Sequence, residues 1–173
     1  SPSDFGRYQR DHAANHFQKI AEFMNENGEI LFDLCDGVAE VTLNRPGALN
    51  ALTLGMVRKF DPLLKDWAAD DKVRAVVVRG AGEKAFCAGG DVQKLYDGGP
   101  RSPITQDFFR EEYRLNRRIH FFPKPYVAIM DGITMGGGVG LSVHAGTRIA
   151  ADNTMLAMPE TGIGLFPDVG GSW

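Results

Sequence analysis

Two stretches of the sequence, 73–96 and 126–145, share one layout: a short apolar run, a glycine-rich turn and then helix-forming residues. The runs are residues 73–78 and 126–130, and the turns are Ala88-Gly89-Gly90-Asp91 and Gly136-Gly137-Gly138. A nearly continuous apolar run is what a strand covered on both faces requires. Strand, turn and helix in succession dictate an α/β architecture. The 21 glycines in 173 residues are about 12%, against a usual ~7%, and their clustering in these turns gives the excess its meaning.

The remaining elements fit around these units. Ile30, Phe32 and Leu34 alternate with polar or acidic residues, Asp36-Gly37 supplies a tight turn, and Ala39, Val41 and Leu43 alternate again, which predicts a β-hairpin. Thr53 is placed to cap a helix carrying Val57, Phe60, Leu64 and Trp67 at helical spacing, with Pro62 expected to kink or divide it. Residues 81–90 read as a loop, with Asp91 opening a short helix and residues 97–103 as the most linker-like stretch. A second long helix is expected over 104–120, apolar at Phe108, Leu115 and Ile119, and closed by Pro123 and Pro125. Asp131-Gly132 is expected to turn into the triple glycine, and 148–151 and 155–157 read as short strands. Residues 1–28 form an expected helical arm, with Phe17, Ile20, Phe23 and Met24 on one side, and residues 29–173 the core. His12 and His16 stand at i, i+4 on that arm without a third ligand, so a solvated helix face accounts for them better than a metal pair.

Composition excludes several function classes. A formal charge of −3, from 19 basic and 22 acidic residues, excludes a generally basic nucleic-acid binder. No apolar run approaches the ~20 residues of a membrane-spanning helix. Cys35 and Cys87 form no CxxC pair, which excludes a disulfide scaffold and makes a reducing compartment the default.

Familiar catalytic signatures fail one by one. No Gly-Lys pair exists for a phosphate-cradling loop. Leu141 stands where the last glycine of a dinucleotide fingerprint belongs. His144 stands where the closing glycine of a nucleophile elbow belongs, and it reads as a hydrogen-bonded interior residue. What remains is the pair of glycine turns. Glycine lets backbone approach a ligand closely, and a helix start behind it offers free N–H groups. Two such turns facing each other can donate two N–H groups to one oxygen, an oxyanion hole. Tight packing of helix on strand is the plainer alternative, and glycine content alone does not choose between them.

Three stretches make the choice. Leu43-Asn44-Arg45-Pro46 with Leu49-Asn50-Ala51-Leu52, then Lys84-Ala85-Phe86-Cys87-Ala88-Gly89-Gly90-Asp91, then residues 132–140, resemble in collinear order the enoyl-CoA hydratase/isomerase (crotonase) superfamily. The segments 108–113, 133–142 and 158–171 resemble its thioester hydrolases of short 3-hydroxyacyl-CoA, enzymes of valine breakdown. The resemblance implies a spiral of ββα units that binds a CoA thioester. It places the thioester oxygen between the N–H groups of Gly90 and Gly137. It places the CoA along Arg45, Ala48, Leu49, Ala51, Ala88, Gly89 and Asp91, with Arg45 offered to a phosphate.

Hydratases of this superfamily carry one carboxylate at the position of Gly140 and a second at that of Glu160. Gly140 has no side chain, so the reading favours thioester hydrolysis by Glu160, as nucleophile or as base toward water. Asp168 is the expected second acid, orienting Glu160 or water or holding the substrate hydroxyl. Glu112 matches a substrate-contacting residue of the family, although near Arg114, Arg117 and Arg118 a helix-surface carboxylate is the favoured reading of the sequence itself. An isomerase, a hydratase and a CoA-binding fragment without turnover are the rival readings. No metal and no cofactor beyond the CoA of the substrate is expected, and no nucleic-acid or membrane partner. The chain ends inside Gly-Gly-Ser-Trp, so a truncated core is expected, completed by further chain or by a separate second chain. It would expose apolar surface, with homo-oligomers open. The expected compartment is the bacterial cytoplasm or, in a eukaryote, the mitochondrial matrix.

Overall fold

The computed structural model describes residues 28–93 and 102–171. The arm expected over 1–28, its histidine pair and most of the 97–103 linker lie outside the described residues.

Strands β1 (Ile30–Cys35) and β2 (Val38–Leu43) form the expected antiparallel hairpin, with Phe32 opposite Val41. Asp36 (φ 48°) and Gly37 (φ 80°) make its two-residue turn, the twist that suits a tight hairpin. Beyond β2 every pairing is parallel. Strands β3 (Ala75–Gly80), β5 (Tyr126–Met130) and β7 (Thr147–Ala150) complete a five-stranded sheet in the order β1-β2-β3-β5-β7. Each of these three is followed within a few residues by a short strand, β4 (Ala85–Cys87), β6 (Ile133–Met135) and β8 (Met155–Ala157). These three form a second parallel sheet, β4-β6-β8. The chain therefore winds as repeated long-strand, short-strand units, the α/β spiral expected of ββα repeats.

Three expectations change. Residues 81–90 are not only loop, because β4 lies within them, and β6 intervenes before the triple glycine. Residues 85–87 are all buried and 133–135 sit between turns, so neither stands out as a strand by alternation, whereas the expected short strand 155–157 is present as β8. The 73–78 run is not covered on both faces either. Val76 and Val78 are buried, while Val77 is half-buried and Arg79 exposed.

Helix α1 (Leu54–Ala69) starts as expected: Thr53 Oγ1 accepts the Met56 N–H at 3.2 Å. At its other end Lys124 Nζ donates to the carbonyls of Trp67 and Asp70 at 2.6 and 2.7 Å, supplying a cation where helix carbonyls lack partners. Pro62 does not divide the helix. It lies on the exposed side, where the carbonyl it leaves unbonded is free to meet water.

Helix α2 (Pro103–His120) matches the expected span. It packs on α1, with Arg58 paired to Glu111 and Asp107, and Arg118 to Asp61. Between helices and sheet lies one core built from Phe32, Val41, Phe60, Leu64, Trp67, Val76, Val78, Leu115, Ile119 and Ala128. Each large side chain there contributes about 1.5–3 kcal/mol by leaving water. Apolar side chains remain exposed at Ile149, Met155, Leu156, Leu165 and Phe166, along β7, β8 and the segment after them.

Candidate active site

The site is organised by one buried asparagine. Leu49 and Asn50 both adopt left-handed backbone (φ 50° and 55°) behind the single 3₁₀ turn Pro46–Ala48. Asparagine tolerates that conformation where leucine does so only if held. Asn50 supplies the hold. Fully buried, it accepts the Arg45 N–H through Oδ1 at 2.9 Å, and its Nδ2 donates to the carbonyls of Ala81 (2.9 Å) and Ala85 (2.7 Å). Sequence reasoning quoted Asn50 as part of a motif but gave it no task. An asparagine preceding a helix cap, in a stretch needing left-handed backbone, was the available signal.

From this knot the 49–52 segment runs beside 88–91. Ala88 N donates to Leu49 O, Leu52 N to Gly89 O and Asp91 N to Leu52 O, at 3.0, 2.8 and 2.8 Å. The Gly90 amide is skipped by this pairing and has no acceptor among the described residues. The second turn arrives from β6. Gly136 has φ 47° and ψ −118°, and Gly137 opens the six-residue helix α3 (Gly137–Ser142), so its amide is one of the helix's unbonded donors. A β-carbon built on Gly137 would sit 3.4 Å from Gly90 N, and one on Gly89 3.7 Å from Gly137 N. The two glycine turns thus meet backbone to backbone.

Three carboxyl groups gather there. A cavity of about 600 Å³ is lined by Gly90, Gly137, Glu112, Glu160 and Asp168, with Ala88 and Gly89 at its wall and Phe108, Phe109 and Leu165 supplying apolar surface. Glu160 begins the 3₁₀ turn Glu160–Ile163 and is buried. Its Oε1 lies 2.9 Å from where a β-carbon on Gly136 would be, and its Oε2 has no partner. Glu112 overturns the surface reading. It is 2% exposed, turned inward from α2, with Oε1 unpartnered against Gly137. The arginines that suggested a surface carboxylate serve neighbours instead: Arg114 pairs with Glu111 and Asp61, and Arg118 with Asp61. Burial, then the charges of Asp168 and Glu160, push the Glu112 carboxyl up to about 8. A carboxyl raised that far favours its protonated, hydrogen-bond-donating form at pH 7, and perturbed groups of this kind cluster at sites that handle protons.

Arg45 and Asp91, both expected along the CoA, pair with each other. The guanidinium donates to Asp91 Oδ2 at 2.7 Å and Ala51 O at 2.6 Å and lies 3.1 Å from Glu29 Oε1, with its side chain 15% exposed. Within the protein its charge therefore faces the carboxylates of Asp91 and Glu29. Ala48, Leu49 and Ala51 lie outside the cavity lining. Gly140 is closed: a β-carbon there would sit 2.9 Å from Asn116 Oδ1 and Nδ2 and from Val169 Cβ. The Cys87 thiol is buried and pushed up to about 12 by that burial, which removes it as a nucleophile. His144 donates from Nε2 to Val169 O at 2.7 Å, the hydrogen-bonded interior role expected of it.

Comparison with known proteins agrees with this fold. A family model described as Enoyl-CoA hydratase/isomerase matches residues 38–173. The chain is 59% identical over 171 residues to the 3-hydroxyisobutyryl-CoA hydrolase, mitochondrial, of Xenopus laevis, covering 98% of this chain and 43% of that one. To the protein of the same name from Danio rerio it is 51% identical over 173 residues, covering 98% and 45%. It therefore spans less than half the length of these curated relatives. Among solved structures, one titled an enoyl-CoA hydratase from Rhodobacter sphaeroides superposes with a TM-score of 0.80 at 48% identity, over 84% of this chain and 44% of that one. With a mostly parallel five-stranded sheet and a parallel three-stranded one wound as a spiral, two opposed glycine turns and the matched span 38–173, the chain belongs to the enoyl-CoA hydratase/isomerase family.

Proposed function

We propose that the site hydrolyses a short 3-hydroxyacyl-CoA thioester, 3-hydroxyisobutyryl-CoA by analogy with the relatives' names. The observation that carries this reading is the meeting of the Gly90 and Gly137 backbones beside Glu160, with no room for a side chain at Gly140. Adding water across a double bond employs two carboxylates, one for water and one for the α-proton. A carboxylate from position 140 would have to displace Val169 and Asn116. Thioester hydrolysis needs only one group acting at the carbonyl carbon.

In the proposed reaction the thioester carbonyl accepts from the Gly90 and Gly137 amides, which stabilise its oxygen as it becomes negative. Glu160 then acts in one of two ways. As nucleophile it displaces the CoA thiolate and forms an acyl anhydride, which water opens. As base it takes a proton from water, whose oxygen bonds to the carbonyl carbon while the thiolate leaves. Either way the products are the 3-hydroxy acid and the CoA thiol, and water supplies the added atoms. Heavy-oxygen water separates the two routes, since label enters Glu160 only through the anhydride. Neutral Glu112 donates to the substrate hydroxyl, and Asp168 orients that hydroxyl or the water. Only backbone amides and carboxyl groups act in this scheme, so we propose no cofactor. The vertebrate relatives are named mitochondrial, and that compartment is proposed here also.

The test is to offer 3-hydroxyisobutyryl-CoA and crotonyl-CoA side by side. Thiol release from the first without loss of the double bond of the second supports hydrolysis. Loss of the double bond without thiol release supports the hydratase reading instead.

A further inference from the structure

Asp168 stands on a turn whose backbone is out of its ordinary range. Val169, β-branched and buried, has φ 45°, and Gly170 follows at 72°. A β-branched residue stays in the left-handed region only where its surroundings hold it. Two holds are in place. His144 Nε2 donates to the Val169 carbonyl, which fixes the main chain. The Tyr113 hydroxyl donates to Asp168 Oδ2 at 2.5 Å, and this is the contact that reaches the carboxylate. Asp168 Oδ1 has no hydrogen-bond partner among the described residues, so the tyrosine occupies one oxygen and leaves the other without a protein partner, while Asp168 lines the cavity.

Tyr113 follows Glu112 directly on α2. One helix therefore presents Glu112 to the cavity and ties down the acid facing it. Burial, then the hydrogen bond and charge of Asp168, raise the phenol above its ordinary range, as befits a group that keeps its proton and donates it. The ring also packs on Phe109, with centroids 6.1 Å apart, which a phenylalanine would preserve. We propose that Tyr113 is a positioning residue for Asp168, holding one carboxylate oxygen so that the other faces the cavity shared with Glu112 and Glu160. The inference rests on the hydrolase reading, which gives Asp168 its task.

The test combines Tyr113→Phe with Asp168→Asn. In CoA release, Tyr113→Phe lowers kcat about tenfold with KM within about twofold and leaves the melting temperature unchanged. In the Asp168→Asn background the same change has no further effect, since the tyrosine acts through that carboxylate. Equal losses in both backgrounds, or no loss in either, overturn the proposal. A second readout needs no turnover. With tyrosine labelled at ¹³Cζ, the resonance missing from Tyr113→Phe shifts in Asp168→Asn at pH 7. An unmoved resonance shows that the phenol does not hold Asp168 and overturns the proposal. A resonance that shifts in Asp168→Asn while the wild type releases no CoA contradicts the hydrolase reading and leaves the hold on Asp168 supported.

Discussion

Glu112 Oε1 is set against the Cα of Gly137 so closely that a β-carbon there would overlap it. The same hypothetical carbon would lie 3.1 Å from Leu52 Cδ1 and 3.4 Å from Gly90 N. The absence of a side chain at Gly137 is thus what lets the acid, the core and the opposite glycine turn converge. Gly137→Ala must push at least one of them away. CoA release is expected to fall by about 100-fold or more, the scale of losing an oxyanion donor, with the far-ultraviolet circular dichroism unchanged. Near-normal turnover would place the thioester oxygen elsewhere.

The neutral state of Glu112 has a signature in stability. In the unfolded chain its carboxyl ionises near 4.5, whereas in the folded protein it holds its proton up to about 8. Between those values the unfolded state binds fewer protons, so stability falls as pH rises through that window, at up to about 1.4 kcal/mol per pH unit. Glu112→Gln removes the effect. Urea unfolding at pH 5, 6, 7 and 8 should show the wild type losing ground to the variant by a few kcal/mol in total. Parallel curves for the two proteins would mean that Glu112 is ionised in the folded state.

Asn50 is expected to matter to the fold before it matters to the reaction. Asn50→Ala leaves the carbonyls of Ala81 and Ala85 and the amide of Arg45 without their partner. It also places alanine in left-handed backbone. A loss of about 2–4 kcal/mol in urea unfolding is expected. Asn50→Asp gives no rescue, since it turns an acceptor oxygen toward two carbonyls. A variant as stable as the wild type would show the knot to be incidental.

Arg45 separates two accounts of its charge. With its guanidinium engaged by Asp91, Ala51 and Glu29, Arg45→Met should lower stability by about 1–2 kcal/mol. It should change KM for a CoA thioester less than about threefold. A tenfold rise in KM at unchanged stability would return Arg45 to the phosphate.

These residues also show what the sequence makes legible. The hairpin, both long helices and the two glycine turns carry strong local signals: alternation, helical spacing, Thr53 as cap and runs of glycine. Strands β4 and β6 do not: β4 is buried at all three residues and so shows no alternation, and β6 is three residues between the turn at Gly132 and the triple glycine. Glu112 illustrates the same limit for the site. Its sequence neighbours are arginines, and only the packing of α2 on the cavity decides that Glu111 faces Arg58 while Glu112 turns inward. The contact of Tyr113 with Asp168, like the closure of Gly140 by Asn116 and Val169, joins residues far apart in the chain. Pro62 is the opposite case, since the helix runs through it undivided and the proline lies on the exposed side.

The most direct measurement is the rate of CoA thiol release from 3-hydroxyisobutyryl-CoA by the wild type and by Glu160→Ala. Glu160 is a buried acid in the cavity shared by the two glycine turns, and each proposed route runs through it, as nucleophile or as the base that activates water. A fall of about 1,000-fold or more is predicted, with the fold intact by circular dichroism. Equal rates in the two proteins would contradict the account.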